Sequence, residues 1–354
     1  EIKHISEHDL PKWTKRVTPQ VGDIVFSYEA TLNLYAIIPD DFWGCLGRRM
    51  ALIRPDETKA IGKFLYYYFF SPEWRATIQE NTVVGATVDR IPLIRFPDFP
   101  VRIPAINTQS RIADILSAYD DLIETNQRQI KLLEEAAQRL YKEWFVDLRY
   151  PGHENVPVVD GVPEGWLIKT ISDIARINAD SVGKDYPYTE IKYIDISSVN
   201  KGQISSRTTY EMKDAHGRAR RLAHDGDTIW SMVRPNLRAY SLVQYPEKKE
   251  VFSTGFAILS PQSVPFSYLY CMVTTDEFVG YLVNCTNGAA YPAVKPIHFE
   301  EAKAVVPSSD ILQKYEKIVT PMFRKIHQLS CENNHLAEAR DRLLPKLMSG
   351  EIAV

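Results

Sequence analysis

Two stretches of the chain repeat apolar residues at spacings of three and four. The first, Thr108 to Val146, contains no Gly or Pro and lines up Ile112, Ile115, Tyr119 and Leu122, then Asn126, then Ile130, Leu133, Ala137, Leu140 and Trp144. The second lines up Tyr315, Ile318, Met322, Ile326 and Leu329, then Asn333, then Leu336, Arg340, Leu343 and Leu347, with Phe323 beside Met322. It carries Pro321 near its start and Pro345 near its end. This is the heptad signature of a helix that pairs with another helix. Two long helices are therefore predicted, each the natural partner of the other. About 36 residues at a 1.5 Å rise reach roughly 54 Å, so such a pair can act as a spacer. Asn126 in the seam would cost stability but set register; at the seam's edge it would simply be solvated. The sequence leaves both open.

Between the helices the pattern changes. Short β-rich runs, Asp23 to Tyr28, Thr228 to Val233 and Val251 to Leu259, are broken by Gly, Pro, Asn and Asp turn signals, and Ile61 to Phe70 reads as a helix. These segments predict α+β globular units.

The chain also repeats itself. A shift of 204 residues places Gly22-Asp23-Ile24-Val25-Phe26-Ser27 on Gly226-Asp227-Thr228-Ile229-Trp230-Ser231, and Leu65-Tyr66 on Leu269-Tyr270. The same shift places Trp74 on Phe278, Gln109 on Gln313, Tyr119 on Phe323, Leu122 on Ile326 and Leu140 on Leu344. Val84-Gly85-Ala86-Thr87 meets Asn287-Gly288-Ala289-Ala290 one residue out of step. An ordered series of this kind fixes a duplicated architecture before any local motif does. The second copy starts near Pro163-Glu164-Gly165-Trp166, so the first copy is expected to lack about forty residues at its start.

Composition narrows the class. The 354 residues are 45% hydrophobic and 25% charged, enough for two globular cores. The longest apolar run, Phe64 to Phe70, is too short to span a membrane, and nothing at the start reads as a signal peptide. Four scattered cysteines, Cys45, Cys271, Cys285 and Cys331, form no C-x-x-C pair. A zinc site or disulfide framework is not expected, and a reducing, cytoplasmic setting is. The net charge is −3 and the pI about 6.3, unlike a freestanding nucleic-acid binder, which usually carries a basic excess. The basic charge is local: residues 201–240 hold eight Lys and Arg against four acids.

With these features, five segments resemble the DNA-specificity subunits of Type I restriction-modification enzymes. They are the P-x-G-W run at Pro163 to Trp166, the G-D-I strand at Gly22 to Ile24, Ile106 to Leu116 (INTQSRIADIL), Lys142-Glu143-Trp144-Phe145-Val146-Asp147, and the C-terminal run Leu343 to Ile352. The resemblance covers essentially the whole chain. It implies two target recognition domains, 1–106 and 151–307, each reading one half of a split site in double-stranded DNA. It also implies two helical spacer regions, 107–150 and 308–354, that pair antiparallel in a pseudo-two-fold repeat. Two methyltransferase subunits would dock on them, endonuclease subunits would join the complex, and this chain would hold no catalytic residue, cofactor or metal. Helix residues Tyr119, Leu122, Asn126, Leu133, Leu140, Phe323, Ile326, Leu336 and Leu343 are the candidates for this pairing and docking. One departure concerns a Glu-Gln pair usual before the helix. Here Thr108-Gln109 and Leu312-Gln313 stand instead; the acidic member is lost in both copies, and its position is given no role.

Base reading needs side chains that can fork onto a base edge, Arg on guanine and Asn on adenine. Ser231 to Arg238 follows a predicted strand and offers Arg234, Asn236 and Arg238 within five residues. Arg218, Arg220 and Arg221 suit phosphate contacts, which position without specifying. In the first copy Lys12, Lys15 and Arg16 occupy the corresponding place, and Arg48 and Arg49 add a pair. The plainer account of each basic group is a solvated face whose arginines pair with nearby acids. The recurring loops at Gly85-Ala86-Thr87 and Asn287 to Tyr291 either border the DNA or are structural turns, and Tyr66-Tyr67-Tyr68 suits a core helix better than a stacking platform.

G-x-G-x-x-G, Walker A, H-E-x-x-H, G-x-S-x-G and Asn-Pro-Pro-aromatic patterns are all absent. Two other classes remain: a helical scaffold without sequence recognition, which predicts no DNA preference, and an unrecognised hydrolase, which predicts turnover by the isolated chain.

Overall fold

The structure, a computed structural model, describes residues 4–286 and 292–354. The chain packs as two compact units, Glu1–Gln127 with Cys331–Val354, and Arg128–Ser330.

The first unit opens with α1 (Leu10–Trp13) and three antiparallel strands, β1 (Ile24–Ser27), β2 (Tyr35–Ile37) and β3 (Met50–Ile53), in the order β2-β1-β3. All four residues of β1 are buried, as a central strand covered on both faces must be. Helices α2 (Gly62–Tyr68) and α3 (Pro72–Asn81) follow, then the long α4, Ile106–Tyr141. Ser71 caps α3 by accepting from the Trp74 N–H at 3.2 Å, and Pro72 opens the helix, where its missing N–H costs nothing. Trp74 anchors the core, its indole N–H donating to the Tyr35 hydroxyl at 2.8 Å. Ile112, Ala113 and Leu116 from α4 join the same core, as do Leu344 and Leu347 from α8 (Ser309–Ser349).

In the second unit the strands are β4 (Val158–Val159), β5 (Val162–Pro163), β6 (Leu167–Thr170), β7 (Ala175–Ile177), β8 (Asp180–Ser181), β9 (Glu190–Ile194), β10 (Val199–Asn200), β11 (Gln203–Ile204) and β12 (Thr208–Glu211). They continue with β13 (Ala219–Leu222), β14 (Thr228–Ser231), β15 (Tyr240–Leu242), β16 (Glu250–Ser253), β17 (Phe256–Pro261) and β18 (Lys303–Val306). Helices α5 (Phe266–Val273), α6 (Asp276–Asn284) and α7 (Pro296–Glu300) lie between β17 and β18. The main sheets are β12-β9-β16-β13-β8 and β15-β14-β17-β7. Trp230, fully buried, donates its indole N–H to the Val273 carbonyl at 2.9 Å.

The duplication is visible strand by strand. In the first unit Phe26 lies opposite Tyr35 and Ala51; in the second Trp230 lies opposite Tyr240 and Ala257. α2 and α3 recur as α5 and α6, and Thr275 caps α6 on Phe278 as Ser71 caps α3 on Trp74. Within the first unit α4 and α8 run antiparallel, since Asn126 meets Asn333 while the earlier Asp120 meets the later Arg340.

Two details differ from the expectations drawn from sequence, the run Val251 to Leu259 and the buried line of α4. Val251 to Leu259 is not one strand but two, β16 and β17, in different sheets. The chain turns at Gly255, where a Cβ would come within 2.5 Å of the Ile196 side chain. α8 begins before Tyr315 and runs through Pro321 and Pro345, so the packing of its apolar face outweighs the lost backbone hydrogen bonds. On α4 the buried line passes through Ile112, Ala113 and Leu116, leaving Ile115 and Tyr119 half-buried and Leu122 exposed. There the helix answers to the globular core of the first unit as well as to α8.

Candidate nucleic-acid interface

A similar backbone corner is built twice, one residue longer in the second unit. In the first unit the hairpin between β1 and β2 turns through Ala30 (φ 69°) and Asn33 (φ 62°), both left-handed. In the second unit the hairpin between β14 and β15 turns through Arg234 (φ 48°) and Arg238 (φ 56°). Asn33 and Arg238 each stand two residues before the tyrosine that opens the next strand, Tyr35 and Tyr240. Left-handed backbone costs a residue with a Cβ about 1–2 kcal/mol, so the surroundings must impose it.

Those surroundings are also duplicated. The Ala30 N–H donates to the Asp89 carbonyl at 3.0 Å and the Ile91 N–H to the Tyr28 carbonyl at 2.8 Å, placing Glu29 opposite Arg90. In the second unit the Arg234 N–H donates to the Pro292 carbonyl at 2.8 Å and the Val294 N–H to the Met232 carbonyl at 2.8 Å, placing Val233 opposite Ala293. The segment after α3 or α6 thus returns to clamp the hairpin. In the first unit this clamp includes the Gly85-Ala86-Thr87 loop, whose Gly85 N–H donates to the Asp89 carboxylate at 3.4 Å. Its repeat partner, Asn287 to Tyr291, lies outside the described residues.

Several of the basic residues converge on these corners. Arg48 and Arg49 do so in the first unit: the Tyr28 N–H donates to the Arg49 carbonyl at 3.1 Å, and Arg49 lies 3.6 Å from Glu29. In the second, the exposed Arg234 and Asn236 sit on the corner itself. The Arg218 carbonyl accepts from the Thr254 N–H at 2.8 Å, next to Gly255, whose carbonyl accepts from the Met232 N–H at 2.9 Å. Arg238 is half-buried and paired with Asp276, which raises its pKa further. The other basic candidates lie elsewhere. Arg220 is exposed along β13, whereas Arg221 is half-buried, its Nη1 reaching Ser181 Oγ at 3.4 Å. Lys12, Lys15 and Arg16 are exposed on α1 and the bend after it, with no hydrogen bond or ion pair to the corner among the described residues.

A buried aspartate underlies each corner's sheet, in two electrostatic settings. Arg54 donates to both oxygens of Asp23, at 2.8 and 2.7 Å, and holds its pKa below the usual carboxylate range. Asp227 has no such arginine among the described residues; burial pushes its pKa up, against the pull of the His224 N–H from which it accepts.

Of the helix candidates, Phe323 and Ile326 are buried in the core of the second unit, with Leu133 and Leu140 packed against it. Asn126 is buried and hydrogen-bonded, Tyr119 and Leu336 are half-buried, and Leu343 packs on the core of the first unit. Tyr67 and Tyr68 are core residues and Tyr66 packs beside them.

Sequence reasoning passed over Arg90, although the 203-residue shift that aligns the two loops also sets it on Ala293. It gave Gln109 no role, yet that buried amide accepts from the Ile61 N–H at 2.9 Å and donates to the Lys59 and Pro104 carbonyls. Among the described residues, no three or more His, Cys, Asp or Glu side chains are placed to hold a metal ion, and no helix is long and apolar enough to cross a membrane.

Residues 5–135 match the family described as Type I restriction modification DNA specificity domain. The specificity subunit of the MjaIX Type I restriction enzyme of Methanocaldococcus jannaschii is 24% identical over 99% of this chain and 82% of its own length. That of the HindI enzyme of Haemophilus influenzae is 24% identical over 99% and 90%. The crystal structure of a Type I restriction-modification S subunit from M. genitalium shares the fold, with a TM-score of 0.58 at 19% identity, over 94% of this chain and 84% of that one. Along almost its whole length the chain is similar to Type I restriction-enzyme specificity subunits, its residues 5–135 match their DNA specificity domain, and it shares the fold of the M. genitalium S subunit.

Proposed function

We propose that this chain is the DNA-reading subunit of a Type I restriction-modification assembly, recognising a two-part site in double-stranded DNA in the cytoplasm and performing no chemistry itself. The observation that carries this is the duplicated corner: equivalent clamping hydrogen bonds hold a hairpin in each copy, one residue longer in the second, and present different side chains. Two different half-sites require that combination of constant frame and variable surface. Residues 1–106 and 151–307 are assigned to the two half-sites, and 107–150 and 308–354 to the helical regions between them. Arg234 and Asn236 suit base edges, whereas Arg218, Arg48, Arg49, Lys12, Lys15 and Arg16 suit phosphates. Two methyltransferase subunits would dock on the helices and endonuclease subunits would join them, because a duplicated scaffold offers two similar surfaces.

The test is genome-wide DNA methylation in cells carrying this chain with its cognate methyltransferase subunit, against cells lacking the chain. A split motif that changes in one half when 151–307 is exchanged for the same region of a relative is the expected outcome. A stable complex that imposes no motif would instead mark a scaffold without sequence recognition.

A further inference from the structure

We propose that Arg90 reads a base edge in the first half-site, as the counterpart of Arg234 in the second; this rests on the reading given under Proposed function. The two corners carry their exposed arginine on opposite sides of the same backbone bridge. In the second unit it is on the hairpin, at Arg234, and the clamping segment opposite has Ala293. In the first unit the hairpin position is Ala30, and the arginine is on the clamping segment, at Arg90.

Three features suit Arg90 to the task. Its backbone is fixed on both sides, the Arg90 N–H donating to the Val83 carbonyl at 3.1 Å and the Val83 N–H to the Arg90 carbonyl at 2.9 Å. Only the side chain is left to move, which lowers the entropy lost on binding. The side chain is exposed and makes no ion pair among the described residues. The acids beside it are engaged elsewhere: Glu29 lies 3.6 Å from Arg49, and Asp89 accepts from the Gly85 N–H. An arginine held in this way presents its planar fork to whatever occupies the corner, and in the major groove the matching acceptors are guanine O6 and N7. The neighbouring Arg48 and Arg49 supply charge for the phosphates on the same edge.

The experiment uses the full chain with its methyltransferase subunit and maps methylation at single-base resolution. Arg90→Ala should relax one position in one half of the motif, discrimination there falling about 5- to 150-fold, with the other half unchanged. Arg234→Ala should relax the opposite half. Arg90→Lys, which keeps the charge but loses the fork, should behave as Arg90→Ala does. If Arg90→Ala fails to assemble, Arg90→Gln is read in its place. The inference is overturned if the motif is unchanged, if methylation falls evenly at all sites as for a phosphate contact, or if both variants relax the same half. If the wild-type complex yields no split motif, the functional reading fails and this inference falls with it.

Discussion

Asn126 donates its side-chain amide to Asn333 across 3.0 Å, where α4 and α8 pass within the first unit, and Asn126 is only 4% exposed. The sequence allowed this residue either a seam position or a solvated edge; it sits in the seam. The two asparagines satisfy each other, so the polar pair costs little in the correct alignment and a buried hydrogen bond in any shifted one. Replacing Asn126 alone with Leu should destabilise the first unit by about 1–3 kcal/mol, because Asn333 loses its partner. Replacing both should recover most of that loss while weakening the choice of register. A double-mutant cycle in urea, with light scattering to detect other oligomers, separates the two effects.

Asp23 and Asp227 should respond to pH with opposite signs. The pKa of Asp23 is lowered by Arg54, so its stabilisation is complete above the unfolded value, about 3.9, and is lost as pH falls through the lower folded value. The pKa of Asp227 is raised by burial, so its contribution is complete below the unfolded value and is lost as pH rises through the higher folded value. At pH 7, Asp23→Asn should therefore cost roughly 1.5–3 kcal/mol, and Asp227→Asn little. Urea midpoints at pH 7 and at a pH below the unfolded value check the contrast, and an equal loss in both variants at pH 7 would contradict it.

The clamp on the first corner depends on a missing side chain. A Cβ on Gly85 would lie 2.3 Å from the Val88 carbonyl oxygen, closer than backbone can tolerate. Gly85→Ala should shift the loop, cost about 1–3 kcal/mol, and loosen the segment that fixes Arg90. Ala30→Gly should act oppositely, removing left-handed strain and raising stability by about 1 kcal/mol. Thermal unfolding of both variants tests the pair.

Leu347, near the C-terminus, is 2% exposed in the core that contains Ile24, Phe64 and Trp74. Leu347→Ala should cost about 2–5 kcal/mol and accelerate amide exchange in β1, α2 and α3. Exchange in β14 and α5 should be unchanged. Uniform acceleration in both units would contradict the packing described.

Much of this was legible because it is periodic or repeated. The long helices declared themselves by spacing, and β1 and β14 by the matched Gly-Asp strand starts at Gly22 and Gly226. What escaped was set by tertiary contacts. The turn at Gly255 looked like strand because β-rich residues flank it on both sides, Val251-Phe252 and Phe256 to Leu259, and only the approach of Ile196 reveals why the chain bends there. Arg238 was legible as a basic loop residue, but its pairing with Asp276 was not, since the partner lies 38 residues away on α6. Arg90 escaped for the same reason: its place beside the hairpin is made by two backbone hydrogen bonds that no local pattern encodes.

That the first unit is closed by Cys331–Val354 bears on how the protein comes off the ribosome. Synthesis delivers β1 to α3 before the second unit, yet the core they share with Leu344 and Leu347 stays open until those two residues have emerged. The second unit, Arg128–Ser330, is contiguous and can finish first. Of these two units, the one whose synthesis starts earlier is therefore the one completed later, and proteolytic loss of Cys331–Val354 would open the earlier unit while leaving the later one closed.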